Sequence, residues 1–209
     1  DLAQARGVSR FLLASSGAVY GPQPPDLARI PESYTGAPDT QHVQAAYGNG
    51  KRAAEWLACA YAAQAGHAGL EASIARIFAL VGPGIPLDGP FAAGNFMRDV
   101  LHGSSVRIQG DGRPVRSYLY MADLCVWLLR ILESGSTGQA YNVGAEQPVS
   151  IKELADQIVQ TSSEPVAVTI ASPSLGTNLP PRYVPDTSKV RQSLGLREFT
   201  PLPLALRKT

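Results

Sequence analysis

Apolar positions recur along the chain in two rhythms. In "RFLLASSGAVYG" they form a continuous run, Phe11 to Ala14, that closes in small polar residues. A strand covered on both faces of a parallel sheet reads that way, with its polar residues delivered at the carboxyl end. "LEASIARIFALVG" repeats the pattern and predicts a second buried strand; "QAYNVG" predicts another short one and "VRIQGDG" a strand and turn. The other rhythm is helical. A short helical stretch ends at Gly7, and an alanine-rich run extends from about Tyr47 to Gln64 and stops at Gly66. "NFMRDVLHG" is a short amphipathic helix, and "MADLCVWLLRILES" places Leu124, Leu128 and Ile131 on one side of another. Ser150, followed three residues later by Glu153, is a capping signature that opens "SIKELADQIV".

Between these elements, Pro22, Pro24, Pro25, Pro31 and Pro38 make residues 22–44 a long surface loop. "GPGIPLDGP" is a turn segment, and "PPRYVPDTSKVRQSLGL" a turn followed by a short helix. Strands alternating with helices predict an α/β fold. A complete dinucleotide-binding sheet opens on a strand and a G-x-G-x-x-G turn, and no such stretch follows a strand here. The expected architecture is therefore a partial Rossmann-like parallel sheet, its amino-terminal half missing, with a small carboxyl-terminal α/β part. The expected division is residues 1–82 for the dinucleotide-binding part and 83–209 for the substrate part, with about 115–145 returning to the main sheet.

Composition narrows the classes. Of 209 residues 44% are hydrophobic, enough for a core, and 18 basic against 17 acidic side chains leave no excess to draw the chain to nucleic acid or a membrane. Cys59 and Cys125 lie far apart in apolar helical patterns, and His42, His67 and His102 are scattered singly, so no disulfide framework or metal site is expected. No window reaches the length of a membrane span, and "DLAQARGVSRF" lacks the apolar core of a secretion signal. A cytoplasmic location is expected.

Candidate chemistry centres on "AAYGNGKRAAE". Tyr47 and Lys51 stand at i and i+4, on one face of a helix. A free phenol ionises near pH ~10, and a neighbouring ammonium favours its charged form, which makes it a usable base. Alone, the motif also fits a tyrosine packed on the loop beside a solvated lysine. Ser15 and Ser16 end the first buried strand, where open α/β sheets hold their ligands, and a hydroxyl there can hydrogen-bond a reacting alcohol or carbonyl. A serine bonding its own backbone at a strand end is the alternative. "GDGRP" lacks the lysine-threonine ending of a phosphate loop and reads as a turn.

Taken in order, "FLLASSGAVYG", "YGNGKRAAE", "ARIFALVGPG", "QGDGRPVRSYLYMADL", "AYNVGAEQPVSIKELA" and "PRYVPDTSKVRQSLGL" resemble the NAD-dependent epimerase/dehydratase branch of the extended short-chain dehydrogenase/reductase family. That resemblance implies a nucleotide-sugar substrate and a tightly held NAD or NADP. It implies Tyr47 as general base, Lys51 holding the nicotinamide ribose, Ser16 as hydroxyl partner and Ser15 beside the cofactor. Arg116 would grip the sugar-nucleotide diphosphate, with Arg182 a second candidate for that anion; guanidinium donors form a planar fork suited to phosphate. Asn95 falls where relatives contact nucleotide or phosphate, with helix N-capping as a rival role. For Arg113 and Arg191 surface ion pairs are expected. Relatives dimerise through the helix that here carries Trp56, Cys59, Ala60 and Ala63, so a homodimer of the full-length protein is expected; burial within one chain is the other reading.

Departures from the family pattern matter as much. Gly17 and Ala18 occupy the places of the acidic pair that follows the catalytic hydroxyl in 4,6-dehydratases, and the decarboxylases that "YGNGKR" resembles carry glutamate where Ala18 stands. Ala79 replaces an asparagine that touches the substrate diphosphate in many relatives. The expectation is thus an epimerase or 4-keto reductase rather than a dehydratase or decarboxylase, inactive as an isolated chain. A non-catalytic nucleotide-sugar-binding module is the alternative, and an unpaired strand edge leading to self-association is a third.

Overall fold

In the computed structural model, residues 2–63, 70–172 and 179–209 are described. The expected helix end at Gln64 and Gly66, and His67, lie outside them. After the short helix α1 (Leu2–Ala5) and Gly7, strand β1 (Arg10–Ser16) pairs in parallel with β2 (Glu71–Ile77). Their register matches Ser16 with Ile77. The long helix α2 (Ala46–Ala63) connects them and packs on both.

The second apolar run is not one strand. It breaks after Ile77, where the Phe78 N–H donates to the Val143 carbonyl, and resumes as β3 (Leu80–Val81) in another sheet. Next come helix α3 (Ala92–Leu101), β4 (Val106–Ile108), β5 (Val115–Arg116), β6 (Leu119–Tyr120) and helix α4 (Met121–Ser134). Strand β7 (Ala140–Val143) then joins β2 in parallel, completing the order β1-β2-β7. Because all three strands run the same way, Ser16, Ile77 and Val143 end at one edge.

The remaining elements are β8 (Val149–Ser150), α5 (Ile151–Val159), β9 (Val168–Ile170), β10 (Arg182–Tyr183), α6 (Ser188–Leu194) and α7 (Leu202–Lys208). They build a sheet of order β10-β5-β8 and the pair β4-β9, while β3 pairs with β6. Helix α5 opens on the expected capping box, the Ser150 hydroxyl accepting from the Glu153 N–H while the Glu153 carboxylate accepts from the Ser150 N–H.

Three apolar cores hold these layers. Trp127 and Ile131 of α4 pack on Tyr141, Val143 and Val190. Phe96, Val106, Ile108, Leu154 and Leu206 fill the carboxyl-terminal layer. Val19, Tyr20, Ile30 and Phe78 seal the turn after β1. A fully buried aliphatic side chain such as Ile131 or Leu154 contributes roughly 1.5–3 kcal/mol. The face of α4 expected from Leu124, Leu128 and Ile131 is centred on Trp127, whose indole N–H donates to the Arg197 carbonyl. The proline-rich loop is anchored as well as exposed: Ile30 is buried and bridges Pro185.

One expectation fails outright. β1 is not covered on both sides. It is the outer strand of its sheet among the described residues, and Phe11 is 38% exposed. Only its last residues, Ser15 and Ser16, are buried.

Candidate functional site

The site grows from the end of β1. Ser16 caps the 3-10 turn Gly17–Tyr20, its hydroxyl oxygen accepting from the Ala18 N–H at 3.2 Å. Helix α2 begins against that turn, and the approach is so close that a Cβ on Gly48 would sit 2.6 Å from the Ala18 carbonyl oxygen. Glycine at 48 therefore lets the first turn of α2, with Tyr47 and Lys51, reach the edge of the sheet. Lys51 donates from Nζ to the Ala14 carbonyl at 2.8 Å, and its ammonium lies 5.8 Å from the centroid of the Tyr47 ring. Tyr47 itself is 60% exposed.

These side chains border a cavity of about 920 Å³. Ser15, Ser16, Tyr47, Lys51 and Arg116 all line it, so the structure brings together five of the seven residues singled out from the sequence. The walls are mainly apolar or aromatic: Ile77, Phe78, Ala79, Leu80, Phe91, Tyr118 and Tyr183. No carboxylate lines it among the described residues. Arg182 does not reach this cavity. It lines a smaller one of about 380 Å³ next door, which Arg116 and Tyr183 also border. β10 lies beside β5 with Tyr183 opposite Arg116, so the two arginines stand on adjacent strands. The Arg182 Nε is buried without a hydrogen-bond partner, and Arg116 makes no ion pair with a carboxylate among the described residues.

Asn95 lines neither cavity. Nor does it cap its helix: Phe91 holds the N-cap position of α3, and the Asn95 N–H donates to the Phe91 carbonyl. Arg191 forms the expected surface ion pair, with Glu146. Trp56 is 69% exposed, so burial within the chain does not account for it.

Ser15 needs a different account from Ser16. Its hydroxyl donates to Glu55 at 2.5 Å, and Glu55 takes the Arg76 guanidinium in a bidentate pair, with Nη2 at 2.7 Å. Arg76 also donates to the Tyr20 oxygen, and Tyr20 donates to Asn142, whose amide donates to the carbonyls of Ile30 and Asp186. Burial opposes the charge on Arg76, but its hydrogen bonds to Glu55 and Tyr20 raise its pKa above the ordinary value. Burial pushes Tyr20 up to about 12, against the lowering effect of Arg76. Sequence reading missed this network. Glu55 continues the Tyr47, Lys51 spacing by one further turn, and that periodicity was the available signal.

Two more phenols were missed, Tyr118 and Tyr183. Burial raises each to about 12. Nothing in the local sequence of either marks it, because Tyr118, between β5 and β6, and Tyr183, on β10, are brought to the cavity only by the tertiary fold.

Comparison with known proteins shows the family. A profile of the NAD dependent epimerase/dehydratase family matches residues 1–144. UDP-glucuronic acid decarboxylase 3 of Arabidopsis thaliana is 32% identical over 200 residues, covering 93% of this chain and 56% of that protein. The chain thus spans little more than half the length of that relative. Among solved structures, UDP-glucose 4-epimerase of Thermotoga maritima superposes with a TM-score of 0.82 at 23% identity, over 99% of this chain and 64% of that one, which is a likeness of fold. MoeE5, solved with UDP-glucose and NAD, gives 0.80 at 28% identity over 99% and 65%. With the family profile matching well over half its length, and the tyrosine, lysine and serine at one edge of a parallel sheet, this chain belongs to the NAD dependent epimerase/dehydratase family.

Proposed function

We propose that these residues form the catalytic and substrate side of an NAD(P)-dependent nucleotide-sugar epimerase or 4-keto reductase. The observation that carries this reading is a cavity bordered by Tyr47, Lys51 and Ser16 and by no carboxylate among the described residues. Exchange of a proton at a sugar hydroxyl needs the phenol and a hydroxyl partner; elimination of water by the route the acidic pair serves needs a carboxyl group as well. Gly17 and Ala18 supply none.

The residues present fit the nicotinamide end of such a cofactor, since Tyr47, Lys51 and the Ala14–Ser16 strand end border a largely apolar space of suitable size. When bound, NAD or NADP accepts and returns the hydride. The chain's own contribution is positional and protic. Tyr47 exchanges a proton with the sugar oxygen, Ser16 donates a hydrogen bond to that oxygen, and the Lys51 ammonium, fixed by the Ala14 carbonyl, stands 5.8 Å from the centroid of the Tyr47 ring. Arg116 and Arg182, on adjacent strands, would hold the diphosphate of the substrate.

A second reading, UDP-glucuronic acid decarboxylase, is favoured by the 32% identity to the Arabidopsis thaliana enzyme. The two readings separate in one assay. The longest polypeptide the gene encodes, and the 209-residue chain beside it, are supplied with NAD or NADP and UDP-glucose, UDP-N-acetylglucosamine, UDP-glucuronic acid or a 4-keto sugar nucleotide. An epimer or a reduced 4-keto sugar supports our reading, and Tyr47→Phe should lower that rate by roughly 10²–10⁴-fold. Carbon dioxide released from UDP-glucuronic acid replaces it with the second. Binding of these compounds by the longest polypeptide without any turnover points instead to a non-catalytic module.

A further inference from the structure

The chemistry assigned to Tyr47, Lys51 and Ser16 leaves two phenols of the cavity unused, Tyr118 and Tyr183. Tyr183 stacks on Phe78, ring centroids 4.5 Å apart and planes 29° from parallel. Its hydroxyl interacts with that of Ser16, and both residues line the cavity. The space it occupies is the one Gly17 leaves open: a Cβ at position 17 would lie 2.5 Å from the Tyr183 oxygen and 2.7 Å from the Phe78 ring. Side chains do not approach so closely, so any residue larger than glycine at 17 and Tyr183 in this place exclude each other. An acidic residue following Ser16 is therefore incompatible with this arrangement on steric grounds.

We propose that Tyr183 is a positioning residue of the reacting centre, which stands in the space above Gly17, shares the proton of Ser16 and sets the direction in which that hydroxyl points. This rests on the reading of Ser16 as the hydroxyl partner of Tyr47. The Ser16 oxygen has one proton and two lone pairs. One lone pair accepts the Ala18 N–H, and in the proposed resting arrangement the proton is turned toward the Tyr183 oxygen. When a sugar oxygen enters, Ser16 turns its proton toward it and the Tyr183 O–H donates to the lone pair left free. The serine keeps the Ala18 N–H in both arrangements and gains a third partner when substrate enters, and no covalent bond is broken. Hydrogen bonds in series polarise one another, so Ser16 becomes the stronger donor where negative charge develops. Burial, with Tyr47 and Tyr20 nearby and despite Arg116, raises Tyr183 to about 12, so it stays protonated and does not compete with Tyr47 as the base.

Two measurements test this. The first is carbon NMR of the 209-residue chain labelled at the tyrosine ring Cζ, the Tyr183 signal assigned by Tyr183→Phe. The signal is expected to titrate only near pH 12, to shift in Ser16→Ala, and to move toward that of an exposed phenol in Gly17→Ala. A Tyr183 signal indifferent to Ser16→Ala overturns the proposal whether or not the chain turns over any sugar, so its failure is distinct from failure of the functional reading. The second is kinetic, on the polypeptide that shows turnover. Tyr183→Phe keeps the ring stack and should lower kcat roughly threefold to tenfold, with KM within about twofold. Added to Ser16→Ala it should lower kcat no further, because Tyr183 acts through Ser16. Multiplying losses in the double variant, or an unchanged kcat in Tyr183→Phe, overturn the assignment.

Discussion

Two sets of polar side chains meet along helix α2, and they are treated in opposite ways. Glu55, with Ser15, Arg76, Tyr20 and Asn142, forms a network in which each group has a protein partner and little contact with solvent. Tyr47 and Lys51, on the same helix face, open on a cavity, Tyr47 being 60% exposed. The buried set ties α2 to β1, β2 and β7 through side chains, and the open set is what that tie holds in place. Side chains that open on a cavity are free to change partners, so rigidity has to come from neighbours that do not. One face of one helix supplies both.

The difference can be broken or sharpened by substitution. The largest effect is expected from Glu55→Ala, which leaves the partly buried Arg76 guanidinium without its carboxylate; losing one partner of such a pair costs up to about 3–5 kcal/mol, read from the urea midpoint. Next comes the pH dependence of Tyr20. Its pKa is raised from 10.0 unfolded to about 12 folded, so the native state retains a proton that the unfolded chain releases. Stability from this source is fully present below pH 10 and is lost as pH rises through about 12, roughly 2 kcal/mol over that interval. Tyr20→Phe should remove that part of the alkaline decline while lowering stability at neutral pH by about 1–2 kcal/mol, since Arg76 and Asn142 lose a partner. The smallest effect belongs to the open set. Tyr47→Phe should change stability by no more than about 0.5 kcal/mol in the same urea titration, although it is expected to abolish most turnover.

A parallel contrast governs what could be read from the chain. The i, i+4 spacing of Tyr47 and Lys51 and the small polar residues closing the first apolar run led directly to one wall of the cavity. Asn95 sits in the first turns of a predicted helix, where capping and ligand contact both fit; the backbone gives the N-cap position to Phe91. Arg182 stands on the strand beside Arg116, and with β10 paired to β5 it lines the neighbouring, smaller cavity. The break of the second apolar run after Ile77 had no local mark either, since it follows from the Phe78 N–H pairing with β7, a strand far along the chain.

What the sequence determined by itself is what periodicity and short-range geometry carry: the alternation of strands and helices, the capping box at Ser150, and the shared helix face of Tyr47 and Lys51. The tertiary structure alone decided which strand lies at the edge, how Ser15 and Ser16 part company, and that Tyr183 comes to rest over Gly17. Those outcomes depend on contacts between residues distant in the chain, where position follows from packing and hydrogen bonding of whole layers and leaves no periodic trace in either segment.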